Sequence, residues 1–122
     1  MTEEQQFCID VLEIVPDNSV FYVQVPSSKD AKFLKIVNDS QKYDWAKEVA
    51  LNQQTKTLLK SLIAESLIVE EFNSVTIEHN EHRIFEGWDG MEIGEVSKTL
   101  ILPNWFEEKY IASGYCILSA SW

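Results

Sequence analysis

The sequence predicts an α+β domain, a mostly antiparallel sheet with helices packed on one face. Three observations carry that expectation. Helix-favouring segments dominate the first half of the chain. After Glu71 the apolar period changes from helical spacing to strict alternation. An Asp-Gly pair, Asp89-Gly90, then sits between two runs that bear apolar residues, the strongest short hairpin signal. At 122 residues the chain has room for one domain, residues 1–122, and no repeat or Pro/Gly/Ser-rich linker divides it.

Each element has its own warrant. Thr2 followed by Gln5 has capping-box spacing, and Phe7, Val11, Ile14 and Val15 recur at helical intervals, which predicts a helix over 3–14 ended by Pro16-Asp17-Asn18. The β-branched and aromatic run VFYVQV, residues 20–25, reads as a strand closed by Pro26. Ser27, Ser28 and Asp30 are candidate caps for a short helix over AKFLKIV, with a strand as the alternative. From Asp44 to Ser66 there is no Gly or Pro, and the composition predicts a long helix whose polar middle, Asn52 to Thr57, marks an exposed turn or a break into two helices.

SVTIEH alternates, with Val75 and Ile77 on one face and Thr76 and Glu78 on the other. HRIFEGW follows as the next strand. MEIGEVSKTLIL is the third, then come a short helix over NWFEEKYIA with Asn104 as its cap and a final strand in GYCILSASW. A type I′ turn at Asp89-Gly90 sets Trp88 opposite Met91 and Glu86 opposite Ile93. A bulge at Gly94-Glu95 then brings Ile84 opposite Val96, giving an apolar face of Ile84, Trp88, Met91, Ile93 and Val96. Gly87, opposite Glu92 in that register, leaves space for Phe85 or for a backbone to approach.

Charge narrows the function. The net charge is −10, and residues 65–95 hold nine acids against Arg83 alone, a net −8. So lopsided a field argues against binding nucleic acid or an anionic membrane directly, which requires Lys and Arg to neutralise phosphates. It suits a basic protein partner. The start of the chain lacks a basic, apolar leader, and no apolar run approaches the roughly 18 residues of a spanning helix, so cytoplasmic residence is expected.

Chemistry has few footholds. The chain has no GxSxG, no phosphate-cradling Gly loop and no Walker lysine, and its two cysteines, Cys8 and Cys116, lack metal or redox spacing and read as buried thiols. Neither Glu86 nor Asp89 begins a run with calcium-loop spacing. His79 and His82 point to opposite faces if they share a strand, and are brought closer if Asn80-Glu81 is a turn. Neither catalysis, a cofactor nor a metal is expected. Aromatic residues do lie among the acids: Trp88, Trp105, Phe106 and Tyr110 are close in sequence to Glu86, Asp89, Glu107 and Glu108, a combination that captures Lys and Arg side chains when exposed.

Residues 85–111, FEGWDGMEIGEVSKTLILPNWFEEKYI, resemble the C-terminal part of some immunity proteins of bacterial contact-dependent growth inhibition systems. The likeness lies in Phe85, Glu86, Gly87, Trp88, Asp89 and Gly90, then Gly94, Ser97 and Lys98, then Leu100 to Leu102 and Trp105 to Tyr110. It implies a small acidic cytoplasmic antitoxin that binds a cognate toxin domain, frequently a basic nuclease, and blocks it. Glu70, Glu78, Glu81, Glu86, Trp88, Asp89, Glu92 and Glu95 are the expected partner-binding residues. The rival expectations are an adaptor or regulatory domain without a toxin partner, and a small metal-dependent enzyme using His79 and His82.

Overall fold

A computed structural model describes residues 1–26 and 28–122. Seven strands form one sheet in the order β2-β3-β1-β4-β5-β6-β7, antiparallel except for the last pair. The strands are β1 Ser19–Gln24, β2 Asn38–Asp39, β3 Lys47–Ala50, β4 Ser74–His79, β5 His82–Trp88, β6 Ile93–Val96 and β7 Cys116–Leu118. The helices are α1 Glu3–Ile14, α2 Ala31–Ile36, α3 Gln53–Glu65 and α4 Asn104–Phe106, which runs on as a π-helical segment over Glu107–Ile111; a 3₁₀ turn spans Ile68–Glu71. The α+β architecture is as the sequence predicts.

Local chemistry explains the boundaries. Thr2 accepts from the Gln5 N–H (3.1 Å) while Gln5 Oε1 accepts from the Thr2 N–H (2.7 Å), a reciprocal cap on α1. The Gln5 amide also donates to the Ile63 (2.8 Å) and Ser66 (2.9 Å) carbonyls. One side chain thus caps the start of α1 and satisfies carbonyls at the end of α3. For α2, Asp30 accepts from the Phe33 N–H and is the cap. Ser28 Oγ accepts from the Asp30 N–H, and Ser27 lies outside the described residues.

The long helix expected over 44–66 is shorter and begins at Gln53. Asn52 and Thr55 form a reciprocal cap there, and Lys47–Ala50 instead pairs with β1. That strand buries Val49 against the core, with Leu51 just beyond it, a tertiary gain that overrides helix-favouring composition. Likewise Asn104 is the first residue of α4 and not its cap, which is Pro103. The final strand is confined to Cys116–Leu118 and runs parallel to β6, because α4 lies in the connection between them.

The β5–β6 connection also differs from the expected two-residue turn. Pairs Trp88↔Ile93, Gly87↔Gly94, Glu86↔Glu95 and Phe85↔Val96 run without a bulge, and Asp89 to Glu92 form a four-residue loop. Asp89, Gly90 and Met91 all have positive φ (55°, 67° and 66°). Left-handed backbone costs a non-glycine residue roughly 1–2 kcal/mol. Burying a Met side chain returns about 1.5–3 kcal/mol, and Met91 is fully buried, whereas a type I′ turn would place it on the outer face opposite Trp88. The Asp89 and Gly90 N–H groups donate to the Asn73 (3.1 Å) and Phe72 (2.8 Å) carbonyls, holding the loop against the segment that follows the 3₁₀ turn.

The bulge is in the neighbouring ladder. Ile77 pairs with Phe85 but Glu78 pairs with Arg83, so Ile84 is the extra residue. The two-residue turn of that hairpin is Asn80-Glu81, at φ 52° and 64°. Gly94 therefore does not serve a bulge. A Cβ on Gly94 would lie 2.8 Å from Phe7 Cζ and 2.9 Å from Phe85 Cε1, and one on Gly87 would lie 2.6 Å from Met91 Sδ. The facing glycines are the floor under an aromatic cluster.

Phe7 occupies the centre of that cluster, with ring centroids 4.8 Å from Tyr110, 4.7 Å from Tyr115 and 5.9 Å from Phe85. All four helices contribute to one core with Phe21, Val23, Val75, Ile77 and Phe85 from the sheet. Asp10, also on α1, accepts from the Tyr110 hydroxyl (2.5 Å) and from Lys109 (3.1 Å), tying the π-helical segment to α1. Cys8 and Cys116 are buried free thiols, as expected.

Gly94→Ala should destabilise the fold by about 1–3 kcal/mol, the usual cost of overpacking, since both clashing rings are held in the core. A lowered urea midpoint with unchanged slope would register it. Burial raises Cys8 and Cys116 from an ordinary value near 9.0 to about 12. Between those values only the unfolded chain ionises, so stability should be intact below pH 9 and fall as pH rises toward 12. Denaturation midpoints measured from neutral to pH 11 check this.

Candidate functional site

Strand alternation sends Phe21, Val23, Val75, Ile77 and Phe85 to the helix-covered side, so their neighbours form the opposite face. The register aligns Glu48, Tyr22, Thr76, Glu86, Glu95 and Ile117 across six consecutive strands. A second row runs Gln24, Ser74, Trp88, Ile93. The helices bury their apolar residues in the single core on the other side. Trp88 is half-buried, and Ile93 (39% exposed) and Ile117 (51%) are apolar residues open to solvent.

At one end the face is closed by its own residues. Tyr43 packs edge-on against Tyr22 (4.9 Å between centroids) and Trp45 stacks on Tyr43 (5.1 Å). The Tyr43 hydroxyl donates to Glu78, and Lys42 reaches the other oxygen of the same carboxylate at 2.6 Å. The Glu78 hydrogen bond is the leading cause that raises both Lys42 and Tyr43 above their ordinary values. Glu78 is buried and fully engaged, so it is a structural carboxylate and not an exposed contact.

The other expected residues fall into two groups. Glu86, Trp88 and Glu95 lie on the open face, while Glu70, Asp89 and Glu92 are exposed at its edge, where the Asp89–Glu92 loop rests on the 3₁₀ turn; a Cβ on Gly90 would be 3.4 Å from Glu70 Cα. These six make one surface. Glu81 is at the turn on the far end of β5, about 25 Å from Asp89 at the rise of an extended strand. Of the aromatic residues near the acids, Phe106 and Tyr110 belong to the core, and Trp105 is exposed on α4.

Glu86 and Glu95 are direct cross-strand partners. Like charges so placed are destabilising by a fraction of a kcal/mol up to about 1 kcal/mol. Arg83, on the bulged side of Ile84, reaches Glu86 at 2.7 Å and offsets part of that repulsion. Glu95 makes no ion pair among the described residues. Folding gives no reason for the second carboxylate, Glu95, and beside Trp88 and Ile93 the pair presents charge and apolar area together.

Tyr22, Glu48, Tyr43, Trp45 and Ile117 belong to this surface and were not expected there. The alternation in VFYVQV already separates Tyr22 from Phe21 and Val23. Glu48 was hidden by the helix-like composition of 44–66, and Tyr43 and Trp45 join the face only through a loop. His79 and His82 face one another across the Asn80-Glu81 turn, His79 Nδ1 lying 3.4 Å from Ser19 Oγ. Among the described residues no three His, Cys, Asp or Glu side chains converge as a metal site, and no helix is long and apolar enough to cross a membrane.

The chain matches no protein-family model, and no similarity emerges to curated proteins or to solved structures. Glu95→Lys should stabilise the isolated protein by about 0.2–1 kcal/mol at low salt, because it turns a repulsive cross-strand pair into an attractive one. Urea titration, repeated at high salt to screen the gain, measures it.

Proposed function

We propose that this chain is an acidic inhibitory binding protein, an immunity-type antitoxin whose open sheet face covers a basic toxin domain of nuclease type. The observation that carries the reading is the Glu86/Glu95 pair, a repulsion retained on an uncovered face beside Trp88 and Ile93. A basic partner relieves the repulsion on docking. The apolar residues supply the desolvated centre that carries most binding energy, and the acids at Glu70, Asp89 and Glu92 steer the approach from the rim. The toxin identity rests on the resemblance of residues 85–111, and cytoplasmic residence is part of the same proposal.

Inhibition needs no chemistry in this arrangement. A nuclease groove holds Lys and Arg to engage phosphates, and a carboxylate-bearing face competes for the same cations.

The test is purification of the chain with the product of the gene immediately upstream. A tight complex with a toxin domain, and protection of cells that express it, are expected. Changing Glu86 and Glu95 together to Lys should slow association by at least about tenfold at low salt, with little effect at high salt, and adding Asp89→Lys and Glu92→Lys should slow it further. Unchanged association at low salt moves the interface off this face. Absence of both an upstream toxin gene and a tight partner replaces the antitoxin reading with that of an adaptor.

A further inference from the structure

One cavity runs against the acidity of the rest. It measures about 850 Å³ and opens beside the Asn80-Glu81 turn, between the end of α1 and the segment from Ser97 to Ile101. Ligand cavities commonly span about 300–1,000 Å³. Its polar wall includes His79, His82, Arg83 and Lys98 with the hydroxyls of Ser97 and Thr99, and no Asp or Glu side chain lines it. Ile14, Ile84, Leu100, Ile101 and Trp122 form the apolar wall.

A free cation is unexpected in a chain with 20 acids and 10 bases. Seven of the ten bases stand in ion pairs: Lys32, Lys42, Lys47, Lys56, Lys60, Arg83 and Lys109. Lys98 stands in none among the described residues, although it lines this cavity. The Arg83 guanidinium lies 4.0 Å over the Trp122 ring and gives one N–H to Glu86; its remaining donors have no protein acceptor among the described residues. Stacking holds the guanidinium plane while leaving its edge open for an oxyanion.

Fixed backbone contacts build the site. The Lys98 N–H donates to the Trp122 main-chain oxygen (2.8 Å), and the Trp122 N–H donates to Ser119 Oγ (3.0 Å), so the indole is held over Arg83. The Ser97 N–H donates to the Ile84 carbonyl (2.9 Å), joining the bulged residue of β5 to the cavity's other wall. Ser97 Oγ and Thr99 Oγ1 are 2.7 Å apart, and since only one donates to the other, the second hydroxyl proton is free for a guest.

We propose that this cavity binds a small organic anion, an apolar body bearing a carboxylate or phosphate-monoester head. The head lies between Lys98 and the free edge of Arg83. The body packs on Ile84 and Leu100 beneath Trp122. The bulge at Ile84 thus serves two ends: it turns an apolar side chain toward the cavity and sets Arg83 where it reaches both Glu86 and Trp122.

Fluorescence titration with anilinonaphthalene sulfonate tests this, with uncharged phenylnaphthylamine, the same ring system without its anion, as comparison. Saturable one-to-one binding of the sulfonate is expected, with the uncharged probe at least about tenfold weaker. Lys98→Gln and Ile101→Glu should each weaken the sulfonate at least about tenfold, the second by placing a carboxylate on an exposed wall residue, while Lys35→Gln leaves it unchanged. Circular dichroism identical to the parent establishes that each variant is folded. Hexanoate and hexyl phosphate as competitors identify the head group. Equal binding of both probes, insensitivity to both cavity variants, or displacement by neither competitor overturns the proposal.

Discussion

The structure turns on the seating of Phe7 against the sheet at Gly94. Helix α1 can approach the sheet here because Gly94 carries no side chain, an added Cβ standing 2.8 Å from Phe7 Cζ; the facing Gly87 makes room for Met91, whose Sδ would lie 2.6 Å from an added Cβ. Around that contact gather Tyr110 and Tyr115 from the last third of the chain, and Asp10, one turn further along α1, is hydrogen-bonded by Tyr110. The beginning and end of the sequence are thereby locked to the middle of the sheet. Because side chains alternate strictly along a strand, fixing Phe85 and Gly87 inward also fixes Glu86 and Trp88 outward. The character of the outer face is a consequence of what the core demands one residue away.

Much of this was legible before any coordinates. Helix α1 and its cap, the strand containing Phe21, the alternation of Val75 and Ile77, and the helix containing Trp105 all follow from local chemistry, and the structure has them. What failed to show was decided by contacts distant in sequence. Lys47–Ala50 has helix-favouring neighbours, yet its place is on the edge of β1, and only the cap at Asn52 and Thr55 marks where helix begins. Asp89-Gly90 carries the sequence of a two-residue turn. The pocket beneath Met91, however, offsets the one left-handed residue that the longer loop adds, Met91 itself. The tight turn went instead to Asn80-Glu81, a pair whose second member has no special turn preference.

The acidic residues illustrate the same limit. Their excess between residues 65 and 95 is plain in the sequence, but their roles separate only in three dimensions. Glu78 is absorbed by Lys42 and Tyr43, partners more than 30 residues away, and closes one end of the outer face. Glu81 stands at the far turn. Glu70, Asp89 and Glu92 share one edge because the β5–β6 loop hydrogen-bonds to Phe72 and Asn73, just past the 3₁₀ turn, a contact that no motif announces. Charge density along a sequence marks a segment, and strand register sorts which of its acids share a face.

Strand β5 then sets two surfaces of opposite charge at its two ends. Toward the Asp89–Glu92 loop its outward residues join unpaired carboxylates and exposed apolar side chains; toward the Asn80-Glu81 turn, past the Ile84 bulge, lie Arg83, two histidines and Lys98 around a cavity lined by no Asp or Glu side chain. Arg83 borders both, binding Glu86 on one side and stacking under Trp122 on the other. A straight ladder would have kept Arg83 and Phe85 on the same face, two residues apart. By inserting Ile84, the bulge gives Arg83 the outward orientation of Glu86 and Glu78 while leaving Phe85 in the core. One extra residue thus separates the helix-packed part of β5 from the part that builds the cavity. An anion held between Lys98 and the free edge of Arg83 would share that guanidinium with Glu86, so the acidic face and the cavity meet at a single side chain.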